Sequence, residues 1–63
     1  MDFKIKELRE KRKLSQTELA ELSGVSRPTI SRLESGEDVV INSRTLEKLA
    51  KALEVSIKTL FLP

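Results

Sequence analysis

Apolar residues recur at helical spacing in five separate stretches of the chain. The clearest lies at residues 43–53, where Leu46, Leu49, Ala50 and Leu53 follow the i, i+3, i+4, i+7 pattern of one helix face. Four shorter stretches predict helices at about residues 3–12, 16–23, 27–35 and 57–61. We therefore predict a single all-α domain over residues 1–63, built from five helices and no sheet.

The signals that end one helix and start the next are strongest between residues 15 and 28. Ser15 and Glu18 form a capping-box pattern, in which each side chain bonds the other residue's backbone amide. Gly24 falls where a helix ends in the left-handed conformation, which glycine adopts without a side-chain clash. Ser26 is a second N-cap candidate, and Pro28 fits a first helical turn because amides there have no intrahelical partner. Three apolar residues of the helix before Gly24 are expected to face the core: Leu19, Ala20 and Leu22.

On a helical wheel, the third predicted helix has one face without apolar core residues. With Arg27 at 0°, Arg32 lies at about 140°, whereas Ile30 and Leu33 lie at about 300° and 240°. The side chains that lie between the two arginines on the wheel are short, namely Pro28, Ser31 and Ser35. Such a face suits a helix pressed into a groove of DNA, because long side chains reach base edges and short ones permit close approach. A plain solvated face is the alternative, and the wheel alone does not exclude it.

The composition excludes several classes of protein. A chain of 63 residues leaves little interior for a buried catalytic cleft. It contains no Cys and no His, which excludes disulfides and zinc sites of the finger or ribbon type. With no clustered carboxylates either, we expect no enzyme activity, no metal and no cofactor.

Cellular location and net charge say less about function than the missing residue types do. No apolar run is long enough to span a bilayer and no signal-peptide pattern opens the chain, so we expect a cytoplasmic protein with no membrane partner. The net charge of +2 is too small to identify nucleic acid as the partner by itself.

Four motifs resemble the helix-turn-helix of the phage-repressor and Cro family, also called XRE-like regulators. They are S-Q-x-x-L-A at residues 15–20, S-G-V-S at 23–26, T-I-S-R-L-E-S-G at 29–36 and L-E-K-L-A-K-A-L-x-V at 46–55. The resemblance covers nearly the whole chain, and its spacing of a small residue, a turn glycine and two apolar anchors is specific for the motif. It implies a lambda-repressor-like five-helix fold whose third helix lies in the major groove of double-stranded DNA.

The resemblance also implies which residues contact DNA. The implied base-contacting residues are Ser26, Arg27, Pro28 and Arg32. Arginine suits guanine because guanine O6 and N7 can both accept hydrogen bonds from one guanidinium group. Pro28 departs from the polar residue often found at its position and can offer only apolar contact. In the family, the residue at the position of Gln16 holds the DNA backbone, where free amides and the positive end of the helix dipole favour a phosphate. For Ser15 the alternative is that it only caps the helix that begins at Gln16, and for Arg44 that its side chain is merely solvated. The other phosphate candidates are Ser15, Thr29, Ser31, Ser35, Ser43 and Arg44.

A partly buried ion pair between Arg9 and Glu34 is also implied by the resemblance. On the wheel, Arg9 lies beside the apolar face of the first helix and Glu34 lies beside Ile30, so both are on the core side. Removing one partner of such a pair strands a charge and costs about 3–5 kcal/mol.

Family members pair around a two-fold axis and read half-sites about one helical turn apart, which implies a homodimer on DNA. The expected dimer surface consists of Val39, Val40, Ile41, Ile57, Thr59 and Leu60. Ile57 and Leu60 are also expected, with Phe61, to turn inward from the last helix. The alternative for the three loop residues is that they cover the bottom of the core.

These expectations predict a sequence-specific transcriptional regulator, a repressor that binds a two-fold symmetric operator as a dimer. The alternative is an antitoxin or adaptor whose main partner is a protein and whose DNA binding serves autoregulation. A negatively charged third helix would have favoured that alternative, and Arg27 and Arg32 count against it.

Overall fold

The fold consists of five short α-helices. A computed structural model describes residues 4–37 and 41–61, in the order α1 (Ile5–Lys11), α2 (Gln16–Ser23), α3 (Arg27–Ser35), α4 (Ser43–Leu53) and α5 (Ile57–Phe61). These residues contain no strand, and the predicted all-α fold class is confirmed. Within the same ranges, no helix is long and apolar enough to cross a membrane. Helix α1 is shorter than the stretch at about residues 3–12, since it begins at Ile5 and has Arg12 as its C-cap.

Local interactions fix the start of α2 and the short turn that joins α2 to α3. At the start of α2, Ser15 Oγ accepts from the amide of Glu18 at 3.0 Å, and Glu18 Oε1 accepts from the amide of Ser15 at 2.8 Å. Gly24 ends the helix with φ of 75°, a conformation that side-chain-bearing residues rarely adopt. Ser26 then caps α3, its Oγ accepting from the amide of Thr29 at 3.4 Å. Local side-chain chemistry therefore sets the two helices of the motif.

A single apolar core joins the helices. Helix α2 packs against both α3 and α4, while α1 packs on α3 and α5 packs on α4. The backbone amide of Lys4 also donates to the carbonyl of Leu60 at 2.9 Å, which ties the start of α1 to α5. The buried core residues are Ile5, Leu19, Val25, Ile30, Leu33, Leu49, Ala50, Leu53 and Leu60. Since each buried Leu or Ile contributes roughly 1.5–3 kcal/mol, this cluster is the main stabilising element.

The expectation that Leu22 faces the core was wrong. Its side chain is 63% exposed, whereas Leu19 is fully buried and Ala20 is half-buried against the core. The inward face of α2 is completed by Ser23, which lies about 40° from Leu19 on the side away from Leu22. The buried Ser23 Oγ accepts from the amide of Val25 at 3.1 Å, so its burial leaves no polar atom unpaired.

Candidate nucleic-acid interface

The outward face of α3 is polar and cationic. Five residues on it are exposed: Arg27, Pro28, Ser31, Arg32 and Ser35. The opposite face is fixed in the core by Ile30 and Leu33, which are both buried. Within residues 4–37 and 41–61, neither guanidinium group of α3 takes part in an ion pair or hydrogen bond. Both side chains are exposed, so a partner that carries negative charge or hydrogen-bond acceptors can reach them.

The single acidic residue of α3, Glu34, is turned into the protein and paired. Its side chain is 5% exposed and that of Arg9 is 13% exposed. Arg9 Nε donates to Oε2 at 2.8 Å and Nη2 donates to Oε1 at 3.0 Å, which is a bidentate contact. Arg9 Nη1 donates in addition to the carbonyl of Leu14 at 2.7 Å. Since the pair is neutral as a unit, the exposed face of α3 keeps only positive charge.

The same contact perturbs the arginine. Hydrogen bonding to Glu34 raises the pKa of Arg9 above its ordinary value, because the bonds favour the charged guanidinium; burial acts in the opposite direction. Arg9 therefore stays charged throughout the pH range in which the protein would be handled.

Gln16, the first residue of α2, is joined to this ion pair. Its Nε2 donates to Glu34 Oε1 at 3.1 Å, and its side chain is half-buried. The sequence did not reveal this bond, since the two residues lie on different helices and no local spacing pattern links them. Ser15, beside it, is exposed and its hydroxyl serves in the capping box. The structure thus brings the start of α2 and the inner side of α3 into one hydrogen-bonded group.

Three hydroxyl groups of the predicted interface bond locally. Ser26 Oγ lies 2.8 Å from Thr29 Oγ1, and Thr29 is half-buried. Ser35 Oγ donates to the carbonyl of Arg32 at 2.9 Å, within its own helix. Each hydroxyl retains some hydrogen-bonding capacity for a further partner, because it can both donate and accept.

The start of α4 is a separate candidate. Ser43 and Arg44 are exposed in its first turn, which is capped by Asn42 Oδ1 accepting from the amide of Thr45 at 2.8 Å. In the described part of the chain, no side-chain hydrogen bond or ion pair joins Ser43 or Arg44 to α3.

The predicted dimer surface needs one correction. Leu60 is fully buried within its own chain, so its side chain has no surface to offer a second subunit. Ile41, Ile57 and Thr59 are half-buried and keep part of their surface exposed. Val39 and Val40 lie outside the described residues.

Comparison with known proteins places this geometry in a family. A family model described as helix-turn-helix matches residues 5–60. The HTH-type transcriptional repressor RghR of Bacillus subtilis (strain 168) is 47% identical over 51 residues, covering 81% of this chain and 38% of that protein. The uncharacterized HTH-type transcriptional regulator RghRB of the same bacterium is 41% identical over 56 residues, covering 89% of this chain and 40% of that protein. This chain therefore spans about two fifths of the length of these curated relatives.

A solved structure is similar over almost the whole chain. The restriction-modification controller protein C.AhdI from Aeromonas hydrophila matches with a TM-score of 0.83 and 38% sequence identity, covering 92% of this chain and 86% of that one. The motifs between residues 15 and 55 predicted the same family, and that prediction is confirmed. With a family model matched over residues 5–60, the chain belongs to the helix-turn-helix family.

Proposed function

We propose that this chain binds double-stranded DNA in a sequence-specific manner and regulates transcription, with α3 lying in the major groove. The observation that carries the proposal is the distribution of charge on α3. Arg27 and Arg32 are exposed on its outer face, while its one carboxylate, Glu34, is buried and bound by Arg9. A helix surface with two cations and no anion suits the major groove, where arginine can donate to guanine O6 and N7 together.

The proposed contacts divide between bases and backbone. Ser26, Arg27, Pro28 and Arg32 read base edges, because they lie at the start and on the outer face of α3. Phosphates are bound at the start of α2 by Gln16 and its neighbouring amides, which have no intrahelical partner. Further phosphate contacts are assigned to Ser15, Thr29, Ser31, Ser35, Ser43 and Arg44.

The operator is proposed to be two-fold symmetric and bound by a homodimer. One α3 helix spans only a few base pairs, and a second copy doubles the sequence that is read. The proposed dimer surface uses Ile41, Ile57 and Thr59, each of which keeps some exposed area, together with Val39 and Val40. Leu60 does not belong to this surface, because its side chain is fully buried within its own chain.

Repression is the proposed outcome of binding. A dimer that occupies an operator excludes polymerase from the same stretch of DNA. The name of RghR, a transcriptional repressor, supports this sign, and the name of C.AhdI, a controller protein, supports a regulatory role more generally.

Selection from random duplex DNA tests the proposal. The chain is expected to enrich inverted half-sites that contain G·C pairs and whose centres are about 10 base pairs apart. Sedimentation of the recovered duplex with the chain is expected to give two chains per duplex. Binding should weaken steeply as salt rises, because phosphate contacts release counterions.

The matched control is the double variant Arg27→Ala/Arg32→Ala, whose fold is checked by circular dichroism. Both side chains are exposed, so the variant is expected to fold and to lose the enrichment. If the folded, unsubstituted chain enriches no sequence at all, sequence-specific binding is excluded.

A further inference from the structure

The hydrogen bond between Gln16 and Glu34 constrains the direction of the Gln16 side chain. An ionised carboxylate only accepts hydrogen bonds, so Glu34 Oε1 must face the NH₂ end of the Gln16 amide. One of the two Nε2 protons is used in this bond at 3.1 Å. The second proton remains for another acceptor, and the carbonyl end of the amide is turned away from Glu34.

Arg9 makes this arrangement compatible with a nearby phosphate. A free carboxylate at this position would repel the DNA backbone. Arg9 binds both oxygens of Glu34, at 2.8 and 3.0 Å, and neutralises the charge while leaving Oε1 able to accept from Gln16. Arg9 also donates to the carbonyl of Leu14 at 2.7 Å. The Glu34 carboxylate is therefore held by a residue of α1 that is itself fixed to the loop after α1.

We propose that Glu34, held by Arg9, is a positioning residue for DNA-backbone binding: it orients the Gln16 amide so that its second Nε2 proton donates to a phosphate oxygen. This inference rests on the proposed function and extends it to two residues that do not touch DNA. A pre-oriented side chain loses less rotational freedom when the complex forms, and the ion pair therefore strengthens binding without contacting the ligand. A purely structural pair would support the fold and leave the contribution of Gln16 unchanged.

A double-mutant cycle separates these two roles. Gln16→Ala is measured in the unsubstituted chain and in Arg9→Met/Glu34→Met, which removes the acceptor without stranding a buried charge. The probe is the strongest-binding duplex from the selection experiment. We expect Gln16→Ala to weaken binding about 10-fold in the unsubstituted chain, as for one charge-assisted hydrogen bond. In the double-Met background we expect a loss of about 3-fold or less, because Gln16 is no longer pre-oriented there.

Arg44→Ala is the matched control, since Arg44 is also a phosphate candidate but, among the described residues, makes no hydrogen bond or ion pair with Arg9 or Glu34. Its effect on binding should be the same factor in both backgrounds. Equal losses for Gln16→Ala in the two backgrounds overturn the positioning role. Absence of any DNA binding by the folded, unsubstituted chain overturns the proposed function, and the positioning role falls with it.

A measurement without DNA keeps the test independent of whether the double-Met chain folds. Nitrogen relaxation of the Gln16 side-chain amide in the unsubstituted protein reports its motion directly. A held side chain is expected to show an order parameter near that of rigid backbone, about 0.85. A value below about 0.6 means that the amide moves freely before DNA arrives, and it contradicts positioning.

Discussion

Removal of the Glu34 carboxylate tests the energetic role of the ion pair. In Glu34→Ala, Arg9 loses two hydrogen bonds, of 2.8 and 3.0 Å; its side chain is only 13% exposed in the unsubstituted protein. A partly buried charge without its partner costs about 3–5 kcal/mol. A chain of 63 residues is stable by about 3–9 kcal/mol, at roughly 0.05–0.15 kcal/mol per residue. The substitution therefore removes a large share of the total stability.

Glu37→Ala is the matched control, because it removes the same side chain from an exposed position one residue beyond the C-cap of α3. We expect it to change stability by less than about 0.5 kcal/mol. Circular dichroism at 222 nm follows unfolding of the helices in both variants. At about 4–8 °C per kcal/mol for a domain of this size, Glu34→Ala should lower Tm by about 12 °C or more and Glu37→Ala by a few degrees at most.

The physical cause of the lost stability in Glu34→Ala can be tested as well as its size. If the stranded charge is responsible, Arg9→Met/Glu34→Met should be more stable than Glu34→Ala, because apolar side chains of similar volume replace both charges. Equal Tm values for Glu34→Ala and Glu37→Ala would refute the energetic role of the pair. A double-Met chain as unstable as Glu34→Ala would refute the stranded charge as its cause.

Three further predictions concern the core, a helix cap and the DNA contacts. Leu19→Ala should lower the free energy of unfolding by about 2–5 kcal/mol because it opens a cavity in the core. Leu22→Ala, at an exposed position, should lower it by under about 1 kcal/mol. Equal urea midpoints for the two variants would contradict the exposed position of Leu22. Ser15→Ala should lower Tm by about 4–8 °C, since an N-cap contributes about 1 kcal/mol, and an unchanged melting curve would mean that the capping box adds nothing. Arg32→Ala should relax base preference at one position of each half-site, while Gln16→Ala should weaken all sequences alike. Repeating the DNA selection with each variant distinguishes the two, and an unchanged preference in Arg32→Ala would remove that residue from base readout.

Features set by neighbouring residues could be predicted from the sequence. The capping box of Ser15 and Glu18 depends on a spacing of three residues, and the end of α2 depends on the backbone freedom of Gly24. The outer face of α3 follows from the position of two apolar anchors on a helical wheel, because they can turn only one side of the helix inward. These local rules were sufficient for the fold class.

Features set by packing between helices could not be predicted in the same way. A wheel places Leu22 about 60° from Leu19, and only the positions of α3 and α4 decide that Ser23 and not Leu22 turns inward. The spacing of Leu60 favours both an inward position on α5 and a place in the dimer surface, and its full burial where α5 packs on α4 fits only the first of these. The bond from Gln16 to Glu34 needs two helices to meet at one point, and no spacing rule describes that. The base and phosphate contacts stay predictions.

Identifying the residues that contact bound DNA tests directly whether α3 and the start of α2 form the DNA-binding surface. Nitrogen–proton NMR spectra of the chain are recorded while the selected duplex is added. We expect the largest changes at residues 15–17 and 26–35, including the Nε–H groups of Arg27 and Arg32. Binding that leaves those resonances unchanged and shifts α4 and α5 instead would contradict this expectation.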